Sequence, residues 1–353
     1  REGYGLSRAG IDHAIQQGYQ LIVTLDCGIK SIELIADAKA HGIDVIICDH
    51  HLPDHILPPA IAILNAKQSD CPYPFKELCG CGVGYKLMYA LCERMDWPIS
   101  EADENIDLLA TAIAADIVSM SGENRILTYR GLKKANEHPN IGIRALANLS
   151  GLKKQLQIQN LVFMIAPRVN AAGRMDDACK AVELFTAADE EIAREYAEAL
   201  HADNDERRQA DRSITREALQ QIESNPQWEE RVSTLVYQPD WHKGVVGIVA
   251  SRLIETYHRP TIVLTRSGDE ATGSARSIPG FNLYEAIYAC RDLLTRYGGH
   301  MAAAGMSLPH EQVDAFRERF EQAVSNSLDR ALLTPSIRVD AEIQLEQIQP
   351  KFF

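Results

Sequence analysis

Short runs of apolar, β-branched residues alternate with segments of helical spacing along the first half of the chain. Residues 21–25 and 45–48 are two such runs, and each has the continuous apolar character of a strand in a parallel sheet. Between them, apolar positions recur at helical intervals at Ile32, Ile35 and Ala38. The pattern predicts a βαβ unit over residues 20–48 and, over residues 1–150, a parallel sheet with helices on both faces.

A long segment without glycine or proline, residues 188–223, predicts one long helix or two abutting ones. Residues 203–209 in its middle are polar on all sides, which is typical of a helix that joins two domains through solvent. A second α/β pattern then begins. Its predicted strands are 233–237, 261–265 and 272–277, and its predicted helices are 245–255, 283–296 and 309–328.

These patterns give a fold class and domain boundaries. We predict an α/β fold in which a parallel-sheet domain, residues 1–185, is joined by a long helix, residues 186–226, to a smaller α/β domain, residues 227–333. Residues 334–353 are expected to begin a further domain, with residues 337–340 as its opening strand.

Metal-ligand side chains follow the predicted strands. Asp49-His50-His51 and Asp26 each come directly after a strand, and Asp116 ends a third apolar segment. Because ligands of open α/β sheets bind beyond the carboxyl ends of the strands, we expect these side chains to converge. Carboxylates and imidazoles bind divalent metals, so the sequence predicts a metal site at this edge.

Each of these residues also has a structural interpretation. Asp26 could cap the helix that follows it, adjacent histidines are commonly surface residues, and Asp116 could be a buried, hydrogen-bonded carboxylate. Three such positions at the ends of three elements favour the metal site over these separate explanations.

Basic and glycine-rich positions in the second half predict contacts with phosphate groups. Arg276 lies at a strand end between two serines, which suits a phosphodiester backbone. Gly298 and Gly299 let backbone N–H groups approach an anion, and His300 can donate a hydrogen bond to it. The alternatives are a glycine-rich helix cap with a packed histidine, and arginines that are merely solvated. Two further arginines beside predicted turns are weaker candidates: Arg168 and Arg252.

Composition narrows the class of protein. Of the 353 residues, 46% are hydrophobic and 24% are charged, and no stretch approaches the roughly 20 apolar residues that cross a bilayer. The eight cysteines show no pairing pattern, which indicates a reducing cytoplasm. The net charge of −13 does not by itself indicate a nucleic-acid-binding protein, but residues 241–300 hold seven lysines and arginines against five acidic residues.

Together the motifs resemble those of the RecJ family, bacterial single-strand-specific 5′→3′ DNA exonucleases of the Asp-His-His (DHH) phosphoesterase superfamily. The resemblance covers nearly the whole chain and rests on residues 24–29, 49–51, 114–118, 168–174, 241–252, 274–277 and 298–305. It implies a two-metal phosphodiesterase that uses Mn²⁺ or Mg²⁺ to release nucleotides from single-stranded DNA. Residues 1–185 would be the DHH domain and residues 227–333 the DHH-associated, phosphate-binding domain.

The resemblance also implies a role for each site residue. Asp26 would bridge the two metals, and His50 and Asp116 would complete the ligands of one of them. Asp49 would orient the histidines, and His51 would contact the scissile phosphate or help to activate water. The implied phosphate-binding residues are Arg168, Arg252, Arg276, Gly298, Gly299 and His300.

Two parts of the family's pattern are not found in these 353 residues. They are an early Asp-x-Asp motif, whose carboxylates bind both metals, and a C-terminal oligonucleotide-binding barrel. The chain alone is therefore expected to hold metal poorly and to be nearly or wholly inactive. The protein that contains it is expected to be an exonuclease of DNA repair and recombination.

The implied partners are single-stranded DNA, a single-strand-binding protein and a helicase, with no membrane involved. Two other functions stay open at this point: a phosphodiesterase of short oligonucleotides or cyclic dinucleotides, and a non-catalytic nucleic-acid-binding scaffold of the same fold. The intact Asp-His-His motif argues against the scaffold. A Rossmann dinucleotide-binding fold is excluded, because no G-x-G-x-x-G follows the first strand.

Overall fold

The computed structural model describes residues 5–116, 118–337 and 339–352. The chain forms two compact units, residues 1–204 and residues 205–353, and the division lies within one long helix. The α/β class predicted from the sequence is confirmed, whereas the domain boundaries at residues 185, 226 and 333 stay predictions. Within the described part of the chain, no helix is long and apolar enough to span a membrane.

A parallel sheet forms the centre of the first unit. Its strands are β1 (Leu21–Leu25), β2 (Asp44–Cys48) and β3 (Ala62–Leu64), in the spatial order β1-β2-β3. Leu25 pairs with Cys48, and Cys48 pairs with Leu64, so all three strands end at one edge. The predicted βαβ unit is confirmed, since the helix at Ile32–Ala40 connects the first two strands.

Local sequence accounts for both ends of the first helix. Ser7 accepts a hydrogen bond from the N–H of Gly10 at the start of the first helix, and Gly18 ends that helix in the left-handed conformation. The helices are α1 (Arg8–Gln17), α2 (Ile32–Ala40), α3 (Gly80–Arg94), α4 (Ser100–Asp103), α5 (Ile106–Asp116), α6 (Gly122–Glu137), α7 (Ile141–Leu149), α8 (Ile158–Asn160), α9 (Ala166–Met175) and α10 (Cys179–Phe185), with a π-helical turn at Leu161–Ile165.

The side chains of β2 face two separate hydrophobic cores. Val45 and Ile47 pack in one core with residues of α1 and α2. Cys48 lies in the other core, with residues of α3 and α5. Because successive side chains of a strand point to opposite faces, the sheet is covered by helices on both faces, as predicted.

The predicted helix at residues 188–223 is one helix, α11 (Glu190–Glu223). Its first turns contribute Ala193, Ala197 and Leu200 to a hydrophobic core of the first unit. Within residues 203–209, which the sequence predicts to join two domains through solvent, Asn204 is only 4% exposed, so this part of the helix is not solvated on all sides. A pattern of polar residues does not show which of them pack against neighbouring chain segments.

The second unit contains a mixed sheet in the spatial order β4-β5-β6-β8-β7. β4 and β5 are parallel, and the other neighbouring pairs are antiparallel. Its core includes the fully buried Phe316 and Phe320. The elements are β4 (Thr234–Tyr237), α12 (Val246–Tyr257), β5 (Thr261–Ser267), β6 (Glu270–Arg276), α13 (Leu283–Tyr288), β7 (Arg296–Gly299), β8 (Ala303–Pro309) and α14 (Val313–Ser327).

Three interpretations of the second unit are wrong. The helix predicted at residues 283–296 ends at Tyr288, and its last residue instead begins β7. The glycine-rich helix cap considered for residues 298–300 is a β-hairpin, because β7 pairs antiparallel with β8. The strand predicted at residues 337–340 does not form in the described part of that segment, and Arg338 lies outside the described residues.

Candidate metal centre and phosphate site

Asp26 is the first residue after β1, and its backbone is held in an unusual conformation. Its N–H donates to the carbonyl of Cys48 at 2.8 Å, and its φ angle is +63°. Aspartate tolerates this left-handed region better than most residues. Gly28 continues the turn at φ +108°, where a Cβ would lie 2.8 Å from the Thr24 hydroxyl. The turn therefore directs the Asp26 carboxylate away from the strand axis, beyond the sheet edge.

Asp49, after β2, is almost fully buried at 1% exposure and orients the residues around it. Its Oδ1 accepts from the backbone N–H of His50 at 2.7 Å and lies 2.6 Å from His51 Nδ1. Its Oδ2 accepts from the N–H of Ile29 at 3.0 Å. Burial alone would raise the pKa of Asp49, but the bonds from Ile29 and His51 outweigh it and lower the pKa below its ordinary value. Asp49 is therefore an ionised acceptor.

His50 lies between two carboxylates. Its Nε2 is 3.2 Å from Asp26 Oδ1 and 3.4 Å from Asp116 Oδ2. The adjacent Asp26 carboxylate raises the pKa of His50, against the lowering effect of burial. Asp116 is the last residue of α5, and burial raises its pKa above the ordinary value.

The donor set fits a divalent metal. Within the described residues, both ring nitrogens of His50 are buried and neither makes a hydrogen bond of acceptable geometry. Ligands that share a metal at about 2.1 Å and meet at right angles lie about 3 Å apart, close to the spacings seen here. Asp26, His50 and His51 also each offer a ligand atom within 4.8 Å of the others.

An apolar groove of about 740 Å³ includes two residues of this centre among its lining, Asp26 and Asp116. Val23, Leu25 and Met88 contribute apolar lining. Further lining residues come from α5 and α9, including Asn170. The charged centre is therefore bordered on one side by a wall that offers dispersion contacts rather than hydrogen bonds.

In the second unit, Arg276 lies at the end of β6 beside the start of α12. Its Nη1 donates to Ser274 Oγ at 2.6 Å and to the carbonyl of Ala275 at 2.8 Å. A Cβ on Gly247, in the first turn of α12, would lie 3.0 Å from Arg276 Nη2. A guanidinium, a hydroxyl and a helix N-terminus therefore meet at one place, and all three favour an anion.

The glycine pair and His300 lie at the same end of this sheet. Arg276 pairs with Ala303 across β6 and β8, and Gly299 pairs with Ala304 across β7 and β8. Gly299 has φ +146°, and a Cβ there would lie 2.4 Å from the carbonyl of Ala303. His300 is exposed, and its backbone N–H donates to that same carbonyl at 2.9 Å.

The two weaker arginine candidates make contacts of their own. Arg252 donates from Nε to Asp211 Oδ1 at 2.7 Å and from Nη2 to Oδ2 at 2.8 Å, so a buried carboxylate already matches its charge. Arg168, on α9, donates to the carbonyl of Met164 at 2.5 Å. The phosphate-binding role of these two arginines stays a prediction.

Comparison with known proteins identifies both units. The model of the DHH family, N-terminal domain, matches residues 4–115, and that of the DHHA1 domain matches residues 231–326. A crystal structure of exonuclease RecJ bound to manganese is 32% identical with a TM-score of 0.81, over 94% of this chain and 83% of that one. The chain belongs to the RecJ family.

Curated RecJ proteins are similar to nearly the whole of this chain and are themselves longer than it. The single-stranded-DNA-specific exonuclease RecJ of Salmonella typhimurium is 40% identical over 99% of this chain and 64% of its own length. That of Bacillus subtilis is 38% identical over 99% of this chain and 44% of its own length. The chain thus spans about half to two thirds of these RecJ proteins. RecJ of Thermus thermophilus in complex with Mn²⁺ matches with a TM-score of 0.80, 31% identity, and coverage of 90% of this chain and 47% of that one.

Two residues that sequence reasoning missed support the metal centre of this RecJ-family chain. Gly80 begins α3, and a Cβ there would lie 2.2 Å from Asp26 Oδ1 and 2.6 Å from Asp26 Cα. Asn65 follows β3 and is 3% exposed, with its side chain bonded to the backbone of His51. The rule that located Asp26 and Asp49, a polar residue directly after an apolar strand, could have found Asn65. No comparable sequence signal marks Gly80.

Proposed function

We propose that the protein containing this chain is a metal-dependent, single-strand-specific 5′→3′ DNA exonuclease, which hydrolyses phosphodiester bonds and releases nucleotides. One observation carries the proposal: His50 Nε2 lies 3.2 Å from Asp26 Oδ1 and 3.4 Å from Asp116 Oδ2, while Asp49 Oδ1 lies 2.6 Å from His51 Nδ1. Membership of the RecJ family supports the reaction class, and the DNA substrate is the one that the names of the relatives print.

In this proposal Asp26, His50 and Asp116 would hold Mn²⁺ or Mg²⁺. Bound divalent ions lower the pKa of water and stabilise the charge that develops on the phosphate. The remaining chemistry belongs to the chain. The ionised Asp49 can only accept a hydrogen bond, so Nδ1 of His51 must carry the proton that lies between them.

That tautomer leaves Nε2 as the reactive nitrogen of His51. In the neutral ring Nε2 can take a proton from the attacking water, and in the charged ring it can donate to a phosphate oxygen. Asp49 fixes the ring in either state, because its carboxylate lies 2.6 Å from Nδ1. His51 and Asp49 are therefore proposed as the catalytic pair and its orienting group.

The second unit is proposed to bind the backbone of the strand. Arg276, the Ser274 hydroxyl and the first turn of α12 offer donors to one phosphate group. Gly298, Gly299 and His300 offer backbone and imidazole donors at the same end of the sheet. Contacts of this kind bind nucleic acid without reading base sequence, as an exonuclease that acts on any sequence requires.

The cellular setting is proposed from the family relationship. We expect cytoplasmic action in DNA repair and recombination, beside a single-strand-binding protein that coats the substrate and a helicase that generates it. The eight free cysteines are compatible with a reducing compartment.

The test is a Mn²⁺-dependent nuclease assay of the full-length protein on 5′- and 3′-labelled single strands, with duplex DNA and dinucleotides as alternative substrates. We expect cleavage of single strands from the 5′ end, abolished by EDTA. His51→Ala should lose at least about 100-fold in kcat. His41→Ala is the matched control, because His41 also lies beside an aspartate, with Nδ1 3.6 Å from Asp37, but on the surface of α2. Equal rates on duplex DNA, or a preference for dinucleotides, would contradict the proposal.

A further inference from the structure

Asn65 is a buried amide at the end of β3, with each side-chain atom bonded to backbone. Its Nδ2 donates to the carbonyl of His51 at 2.8 Å, and its Oδ1 accepts from the N–H of Lys67 at 2.9 Å. Its exposure is 3%. A buried amide without partners would be costly, so these bonds fix both the side chain and the two segments that it joins.

The segment that Asn65 holds is irregular, and the Asp49 carboxylate accepts from its backbone N–H groups at His50, at 2.7 Å, and at His51, at 3.2 Å. Residues 49–51 follow β2 and lie in no helix or strand, so no regular ladder fixes the backbone of His51. The N–H of Asp49 donates to the carbonyl of Leu64 at 3.1 Å, which aligns the ends of β2 and β3. Beyond that point, the bond from Asn65 is what ties the carbonyl of His51 to the sheet.

His51 is thus held on both sides of its Cα. Asp49 Oδ1 lies 2.6 Å from the imidazole Nδ1 and accepts from the backbone N–H at 3.2 Å, and Asn65 holds the backbone carbonyl at 2.8 Å. A residue held only by the single oxygen of Asp49 could still swing about that oxygen. Fixing the carbonyl as well leaves Nε2 with one direction.

We propose that Asn65 is a positioning residue for His51, which sets the direction of its Nε2 through the backbone carbonyl. The inference rests on the proposed function for its catalytic meaning, but its structural part concerns only the orientation of the His51 ring. Displacement of a catalytic group by about 1 Å can cost roughly 100-fold in rate, which sets the size of the expected effect.

Asn65→Asp tests the hydrogen bond from Asn65 to the carbonyl of His51. The carboxylate keeps an oxygen for the N–H of Lys67 but places a second oxygen, instead of an N–H donor, against the carbonyl of His51. Asn140→Asp is the matched control. Asn140 accepts from the N–H two residues later, of Gly142, at 2.8 Å and donates from Nδ2 to the distant carbonyl of Phe185 at 3.0 Å. Both variants lose one amide donor, yet Asn140 supports no site residue.

The first readout is turnover of single-stranded DNA by the full-length protein with Mn²⁺. We expect kcat to fall roughly 100-fold in Asn65→Asp with KM changed less than about threefold, and the control to keep kcat while losing similar thermal stability. Should Asn65→Asp fail to fold, Asn65→Ala serves instead, because it removes the donor without adding charge. Wild-type kcat in a folded Asn65 variant would overturn the proposal.

The second readout does not depend on activity. In protein labelled with ¹⁵N-histidine, the His51 ring signals, assigned by their loss in His51→Ala, report its tautomer and its bond to Asp49. We expect those signals to shift or broaden in the Asn65 variants and to stay in place in Asn140→Asp. If the wild-type protein proved inactive on DNA, the proposed function would fall, but this measurement would still decide the role of Asn65. Unchanged ring signals would refute that role.

Discussion

Gly80→Ala should impair the metal centre while the protein still folds. A Cβ at this position would lie 2.2 Å from Oδ1, 2.5 Å from Cβ and 2.6 Å from Cα of Asp26. Carbon atoms pack at about 3.5–4.0 Å, so the Asp26 backbone would have to retreat by about 0.9 Å. The carboxylate cannot simply rotate away, because the contact with Cα is to the backbone.

The cost has a structural and a functional part. Overpacking of this kind lowers the free energy of unfolding by about 1–3 kcal/mol, and the better helix propensity of alanine returns up to about 1 kcal/mol of it. A shift of nearly 1 Å in a ligand carboxylate should weaken Mn²⁺ binding roughly 10–100-fold and lower kcat roughly 100-fold. A 10–100-fold loss corresponds to about 1.4–2.7 kcal/mol, similar to the stability cost, but it acts on the folded protein and should be measurable under conditions in which Gly80→Ala stays folded.

Gly82→Ala is the matched control, two residues later in the same helix. Its Cβ would meet Leu78 Cδ2 at 3.4 Å and Cys79 Sγ at 3.6 Å, which are ordinary contacts. We expect this variant to keep wild-type metal dependence and to unfold at the same or a slightly higher temperature. The assay is cleavage of single-stranded DNA by the full-length protein over a Mn²⁺ titration, with thermal unfolding of each variant. If Gly80→Ala kept wild-type kcat and metal affinity, the contact with Asp26 would not be what positions the ligand.

Three further predictions concern residues outside the centre. Arg276→Ala should weaken the binding of single-stranded DNA, measured by fluorescence anisotropy. The slope of the logarithm of affinity against the logarithm of salt concentration should become shallower by about 0.7. An unchanged slope would exclude a phosphate contact. Arg252→Ala should lower the free energy of unfolding by about 1–3 kcal/mol, because buried Asp211 loses the guanidinium that donates two hydrogen bonds to it; unfolding at the wild-type urea concentration would contradict this. Asp107→Asn should lower the free energy of unfolding by roughly 2–4 kcal/mol in urea, because the fully buried carboxylate bonds Lys134 at 3.1 Å; an unchanged midpoint would contradict it.

Much of the fold could be predicted because its signals are local. The strands of the first unit are unbroken β-branched runs, and α11 lacks any residue that stops a helix. The failures lie where pairing over distance decides. β7 forms because Arg296 pairs with Ser307 across the hairpin, and nothing within residues 290–299 alone distinguishes that strand from the end of a helix. Burial of Asp211 similarly depends on Arg252, which lies 41 residues away.

The metal centre likewise contains residues that a local sequence signal marks and a residue whose role depends on a distant contact. Asp26, His50 and Asp116 could be proposed from the sequence because each is a chemically distinctive residue at the end of an element, and parallel strands bring their ends to one edge. Gly80 contributes by lacking a side chain, and its importance exists only once α3 packs against Asp26, 54 positions earlier in the chain. A sequence shows which side chains can supply ligands to a site. The requirement that position 80 has no side chain becomes apparent only in the fold, where two distant segments approach each other. Gly80 is therefore a residue that keeps Asp26 in place and that a motif search omits, and its substitution should reveal this role.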